Sequence, residues 1–219
     1  MASVCPTPIK FCRVRATRLD PITGAVIGGA DGAAVSNGAV SIAFSPDIEE
    51  GTENTLKNGC GDVLATSKTD DRFKRWNMVL TMGQFEPALF EILTGSTVAV
   101  DGADAIGIIG EDQFDEDFEP TLAALEGWAQ AYEGDAPDST RPWFYALIPA
   151  SSWTLGDFTL GEDPATIPLN GFSRTNDMWG NGPYDDTGFT DQVSTWAFVQ
   201  VSQDPPDATC GYVTNVAGS

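Results

Sequence analysis

The sequence predicts a mainly β fold, and three observations predict it. The 219 residues include 23 Gly and 14 Pro among runs of Thr, Ser, Asp and Asn, the composition of many short elements joined by turns. Several segments alternate apolar and polar residues with the period of two that a half-buried strand requires. Only one segment, Glu86–Leu93, carries a convincing helical stripe.

Taken in order, residues 1–10 read as a polar arm with Pro6 and Pro8. Phe11–Leu19 alternates as a strand, Cys12, Val14 and Ala16 on one face, Arg13, Arg15 and Thr17 on the other. Asp20-Pro21 opens a Gly-rich turn region. Gly38–Phe44 is a second strand, with Val40, Ile42 and Phe44 sharing a face. Residues 45–71 form a long interruption, and loops of that length inside a domain are functional or disordered. Within it, short strands near Glu53–Leu56 and Val63–Thr66 can pair across an Asn58-Gly59 turn.

Arg72–Met82 resumes a strand through Trp76, Met78, Leu80 and Met82. The helix Glu86–Leu93 has Pro87 in its first turn and Gly95 at its C-terminal stop. At two turns it needs a surface to dock on. Val98–Val100 and Ala105–Ile109 are short strands joined at Asp101-Gly102. Leu122–Tyr132 fits either a helical stripe or a strand. Gly127 weakens the helix more, so a strand is expected. Trp143–Ile148 is apolar on both faces, as a central or interface strand is. Trp153–Leu160 and Thr166–Phe172 make a hairpin around Gly161–Pro164. Residues 173–191 are a Gly/Asn/Asp-rich loop holding Trp179 and Tyr184. Gln192–Val201 is the last strand, and residues 202–219 a polar tail. No boundary divides the chain: one β-rich domain over residues 11–201 is expected, with two terminal arms and one long loop.

The charge is unevenly placed. Of 32 acidic residues, 23 follow Arg75, answered there only by Arg141 and Arg174, while the first 75 residues hold nine Lys/Arg and nine Asp/Glu. The last 144 residues therefore carry the whole net charge of −21. Such a surface repels polyanions and resists non-specific adhesion. No apolar run approaches the ~20 residues of a membrane span. The start MASVCPTPIKF lacks the apolar region of a signal peptide, so a cytoplasmic site of synthesis is expected. There Cys5, Cys12, Cys60 and Cys210 stay free thiols.

Histidine is absent, which removes His-based triads, His general bases and His metal ligands together. The four cysteines lack zinc-site spacing. The run Glu111–Glu119 holds six carboxylates in nine residues but lacks the order of an EF-hand loop, and reads as a solvated loop. Asp177–Asp186 mixes carboxylates with Trp179 and Tyr184; the aromatics are expected to pack down on the sheet. The cluster Lys68, Arg72, Lys74 and Arg75 encloses Asp70 and Asp71. It suits docking against an acidic neighbour, another copy included, better than nucleic acid. No catalytic, cofactor-binding or metal-binding residue is assigned, and no cofactor.

Four stretches, taken in order, resemble the major tail (tail tube) proteins of long-tailed actinobacteriophages. They are CRVRATRLD at 12–20, VSIAFSPDIEEGTENTLKNGCGDV at 40–63, KRWNMVLTMGQFEPALFEILTG at 74–95, and WFYALIPASSWTLGDFTL at 143–160 followed by NGFSRTNDMWGNGPY at 170–184. The resemblance implies a β-sandwich or barrel flanked by one short helix, in a virion protein that is not an enzyme. Copies of the chain would close rings, hexameric in this family, and the rings would stack into a tube. The loop 45–71 and the terminal arms would reach neighbouring copies. Implied partners are other copies, a tape measure protein, and tail terminator and tip proteins. Genomic DNA would pass without specific binding, and no membrane is involved. The location implied is the virion tail, assembled in the host cytoplasm. The alternatives are a tail terminator, neck or capsid decoration protein, or a secreted carbohydrate-active β-sandwich.

Overall fold

The computed structural model describes residues 7–110, 121–162, 165–184 and 191–215. In chain order the elements are β1 (Thr7–Leu19), β2 (Gly29–Ser36), β3 (Ala39–Glu49), β4 (Glu53–Lys57), β5 (Val63–Lys68), β6 (Arg72–Met82), α1 (Pro87–Thr94), β7 (Thr97–Asp101), β8 (Asp104–Ile109), β9 (Leu122–Glu133), β10 (Ala136–Pro137), β11 (Trp143–Leu155), β12 (Ile167–Ser173), β13 (Ala197–Val201) and β14 (Tyr212–Asn215). The fold is mainly β, with antiparallel pairing throughout.

One ten-stranded sheet dominates, in the order β14-β2-β1-β9-β11-β12-β6-β3, with β10 paired to β9 and β13 to β11. β2 lies near one end of this order and β3 at the other, yet only Asn37 and Gly38 separate them in sequence. Three Cα steps span about 10 Å at most. The sheet must therefore curl until its ends meet, and β1 does approach β3. The result is barrel-like.

The helix supplies the filling. Ala88, Leu89, Phe90, Ile92 and Leu93 are buried in a core with Val14, Ala16, Met78, Leu80, Met82, Leu125, Ile148, Trp153 and Leu169. Burying a leucine of this kind stabilises by about 1.5–3 kcal/mol, which explains how an eight-residue helix persists. Its end is set by Gly95, whose φ of 76° is left-handed and whose N–H donates to the Glu91 carbonyl.

A second core lies on the opposite face of β1, β9 and β11. It joins Leu19, Leu122, Ala124, Trp128, Tyr145, Leu147 and Ala150 to Trp179, which follows β12. The doubly apolar Trp143–Ile148 is thus explained within one chain: β9 lies on one side of it, β13 on the other, and one core covers each face. Leu122–Glu133 is a strand, and Gly127 has a packing reason, since a Cβ there would lie 2.9 Å from the Phe11 ring.

The structure revises several sequence expectations. Thr7–Lys10 are not part of an arm: they extend β1 along β9, past a bulge where Lys10 takes a φ of 59°. Residues 29–36 are a strand and not part of the Gly-rich turn region: GADGAAVS is too small in side chain to alternate visibly, yet Ala33, Ala34 and Val35 are buried. Ser45–Glu49 continue β3, and the hairpin expected near Asn58 forms as β4–β5. Hence 45–71 is mostly strand, not loop. It gave no period-two signal because that signal reports one-sided burial, and every residue of β4 and β5 is exposed. Trp143–Ile148 and the first part of Trp153–Leu160 are one strand, β11, running through Pro149 with a bulge after Ile148. The last strand is shorter than Gln192–Val201, beginning at Ala197. The C-terminal tail is not free either: β14 pairs with β2, and the buried Asn215 donates to the Gly32 carbonyl at 3.1 Å. The run Glu111–Glu119 lies outside the described residues.

Candidate assembly surface

Three features outside the cores could meet other molecules. The first is the β4–β5 hairpin, which prolongs the β3–β6 ladder beyond its last pair, Glu49 with Arg72. Gly51 N–H donates to Asp71 and Thr52 N–H to Thr69 Oγ1, both at 2.9 Å, and these bonds brace the junction. At the tip, Asn58 Oδ1 accepts from the N–H groups of Cys60 and Asp62. The turn is therefore built, but Leu56, Val63 and Leu64 stand 57–62 % exposed. A lone two-stranded hairpin is marginal in water, so these side chains call for a partner surface.

The second feature is an aromatic strip at the base of that arm. Phe73, Trp76, Trp196, Phe198 and Phe44 form a chain of edge-to-face and tilted ring contacts with centroids 5.0–6.2 Å apart. Phe73 and Trp196 are exposed, as is Ile48 opposite Phe73. The third is a groove of about 610 Å³ between the start of α1, the β7–β8 hairpin and the chain before β14.

The basic cluster splits on inspection. Arg75 bonds Asp47 at 2.9 Å and lies over the Phe172 ring, and Lys68 sits 3.6 Å from Asp71. Arg72 and Lys74 have no ion pair among the described residues, and both are exposed. The outer face of β12, β6 and β3 carries few charges: it presents Ser41, Ala43, Ser45, Asn77, Thr81 and Asn170, with the Arg75–Asp47 pair and Arg174 beside Phe172 at one end. Among the described residues the exposed carboxylates after Arg75 lie instead at strand ends, turns and loops, among them Asp101, Asp104, Glu133, Asp135, Asp157 and Glu162.

One charged constellation escaped sequence reasoning. Arg15 and Glu126 face each other across β1 and β9, both about 2 % exposed, in a two-pronged pair of 2.6 and 2.7 Å. The Tyr145 hydroxyl donates to Glu126 at 2.6 Å. Tyr184 stacks on the guanidinium at 3.4 Å, and its hydroxyl bonds Thr17 at 2.9 Å. Burial first, then the Glu126 charge, pushes the Tyr184 phenol up to about 12. Trp179 is buried in the same core, so the aromatics of 173–191 pack down on the sheet as expected. The network is enclosed and its charges are satisfied. It locks the loop onto the sheet. The only sequence signal was an Arg on a strand face, which alternation alone reads as outward.

Cys12, Cys60 and Cys210 are free thiols, the last two exposed. Among the described residues no cluster of His, Cys, Asp or Glu could hold a metal ion, and no helix is long and apolar enough to cross a membrane. The chain matches no known family model and no curated protein.

Proposed function

We propose that this chain is a structural virion protein of the phage tail tube type, whose copies close rings that stack into a tube conducting DNA. The observation that supports this reading most is the β4–β5 hairpin: a well-formed arm with exposed apolar residues, useful only against another molecule. The sparsely charged sheet face and the acidic residues at turns support a passive wall. Basic groups would hold phosphates by releasing their counterions, and many such contacts would stall transit; neutral and acidic groups would not.

Electron microscopy of the purified chain at rising concentration tests the reading. Hollow tubes of uniform diameter are expected. Single closed rings would favour a tail terminator or neck protein, and monomers at every concentration would refute self-assembly. Within tubes, reversing Glu133, Asp135, Asp157 and Glu162 to Lys should leave assembly intact and slow DNA delivery. Unchanged delivery would mean these turns do not line the bore.

A further inference from the structure

We infer that the groove beside α1 receives the β4–β5 hairpin tip of a second copy, with Lys57 of one copy set against Glu86 and Asp104 of the other. The inference rests on the self-assembly reading above and identifies the surface that completes the arm.

The groove is mainly apolar, walled by Phe85, Val98, Val100 and Ala105, with Glu86 and Cys210 on its lining. Its volume lies within the ~300–1,000 Å³ of sites that enclose most of a small ligand. Glu86 is 7 % exposed and accepts a 2.6 Å hydrogen bond from Ser36, but no cation answers it among the described residues. Asp104 is a second carboxylate on the rim. A site of this composition fits an apolar segment carrying one cation.

The hairpin tip is such a segment. Leu56, Val63 and Leu64 are exposed, Lys57 sits between the strand and the turn, and the tip's own acid, Asp62, is held by Asn58 at 2.9 Å. Lys57 has no ion pair among the described residues.

The two surfaces cannot meet within one copy. The hairpin leaves the sheet at the Arg72 end of β6, and the groove begins just past its Met82 end. Ten strand steps separate those ends by about 33 Å. Every residue of β4 and β5 is exposed, so the hairpin does not fold back along the body. Contact must join different copies through unlike patches. Such head-to-tail interfaces make rings when the rotation closes and open polymers when it does not.

The cysteines provide the test. Cys60 is at the hairpin tip and exposed, and Cys210 lines the groove and is exposed. A disulfide requires Cα atoms within about 7 Å, so a trapped bond fixes the docked position. The full-length chain is oxidised with copper(II)-phenanthroline, which takes the two electrons as the thiols lose their protons and form S–S. Linked peptides are mapped by mass spectrometry, and the same sample is imaged. The expected product is an intermolecular Cys60–Cys210 bond, with a ladder of multimers that Cys60→Ser and Cys210→Ser each abolish. Lys57→Glu should lower the yield about tenfold, as like charges are brought together. Tubes without this bond, or with Cys60 linked chiefly to Cys60, would overturn the groove assignment and leave the tube reading standing. The bond without tubes would keep the groove and overturn the tube. Neither tubes nor bond would overturn both.

Discussion

The two halves of the sheet are built to opposite rules. In β1, β9 and β11 both faces are covered, one by the core around α1 and the other by the loop carrying Trp179 and Tyr184. Even the charged pair there, Arg15 with Glu126, is sealed from water. In β12, β6 and β3 only the inner face is covered; the outer face is open and sparsely charged, and the ladder runs on into an exposed arm. The first half holds the fold together without outside help. The second spends its strand length on surface, and surface of that kind has value only against a neighbour.

The sharpest way to break the contrast is to remove the arm. Replacing residues 52–70 by a short Gly-Asn link should abolish assembly in light scattering, while stability to urea stays within about 0.5 kcal/mol of the parent, the range of changes away from buried features. A large loss of stability would mean that the arm belongs to the scaffold.

Within the covered half, Arg15→Leu should cost about 3–5 kcal/mol, because it strands the Glu126 carboxylate in the core. Adding Glu126→Leu should recover most of that loss. Urea midpoints of the two variants decide it; a double variant no better than the single one would place the energy in Arg15's stacking on Tyr184 instead. Gly127→Val comes next, at about 1–3 kcal/mol of overpacking against Phe11, read from the same urea titration.

The smallest effect concerns the groove. Burial pushes the Glu86 carboxyl above its ordinary value of 4.5, with the Ser36 hydrogen bond opposing. A carboxyl whose pKa is raised by folding adds stability below its unfolded pKa, and that contribution disappears as pH rises through the folded value. Glu86→Gln should therefore melt higher than the parent at pH 8 in dilute solution, and the gap should close below pH 4.5. A gap independent of pH would locate the effect in packing.

Much of the covered half was legible in the sequence, because one-sided or two-sided burial prints itself on side-chain choice. The strand at Leu122, the doubly apolar Trp143–Ile148, the Glu86–Leu93 helix and the downward packing of Trp179 could all be read. What failed to register lacked that imprint. β2 is buried through Ala and Gly, whose small size hides alternation. β14 follows Pro205-Pro206 in a polar tail, and its pairing rests on backbone bonds to β2. The arm is strand without burial, so only its Asn58-Gly59 turn gave it away. The Arg15–Glu126 pair joins residues 111 positions apart, a separation that no local pattern encodes.

Amide hydrogen exchange in dilute and concentrated solution tests the central claim, that the arm is ordered by neighbouring copies. Amides of Glu53–Lys57 and Val63–Lys68 should exchange freely in dilute protein and become protected on assembly, while those of β1, β9 and β11 stay protected in both. An arm that exchanges equally fast in both states, or that is already protected when dilute, would contradict the account.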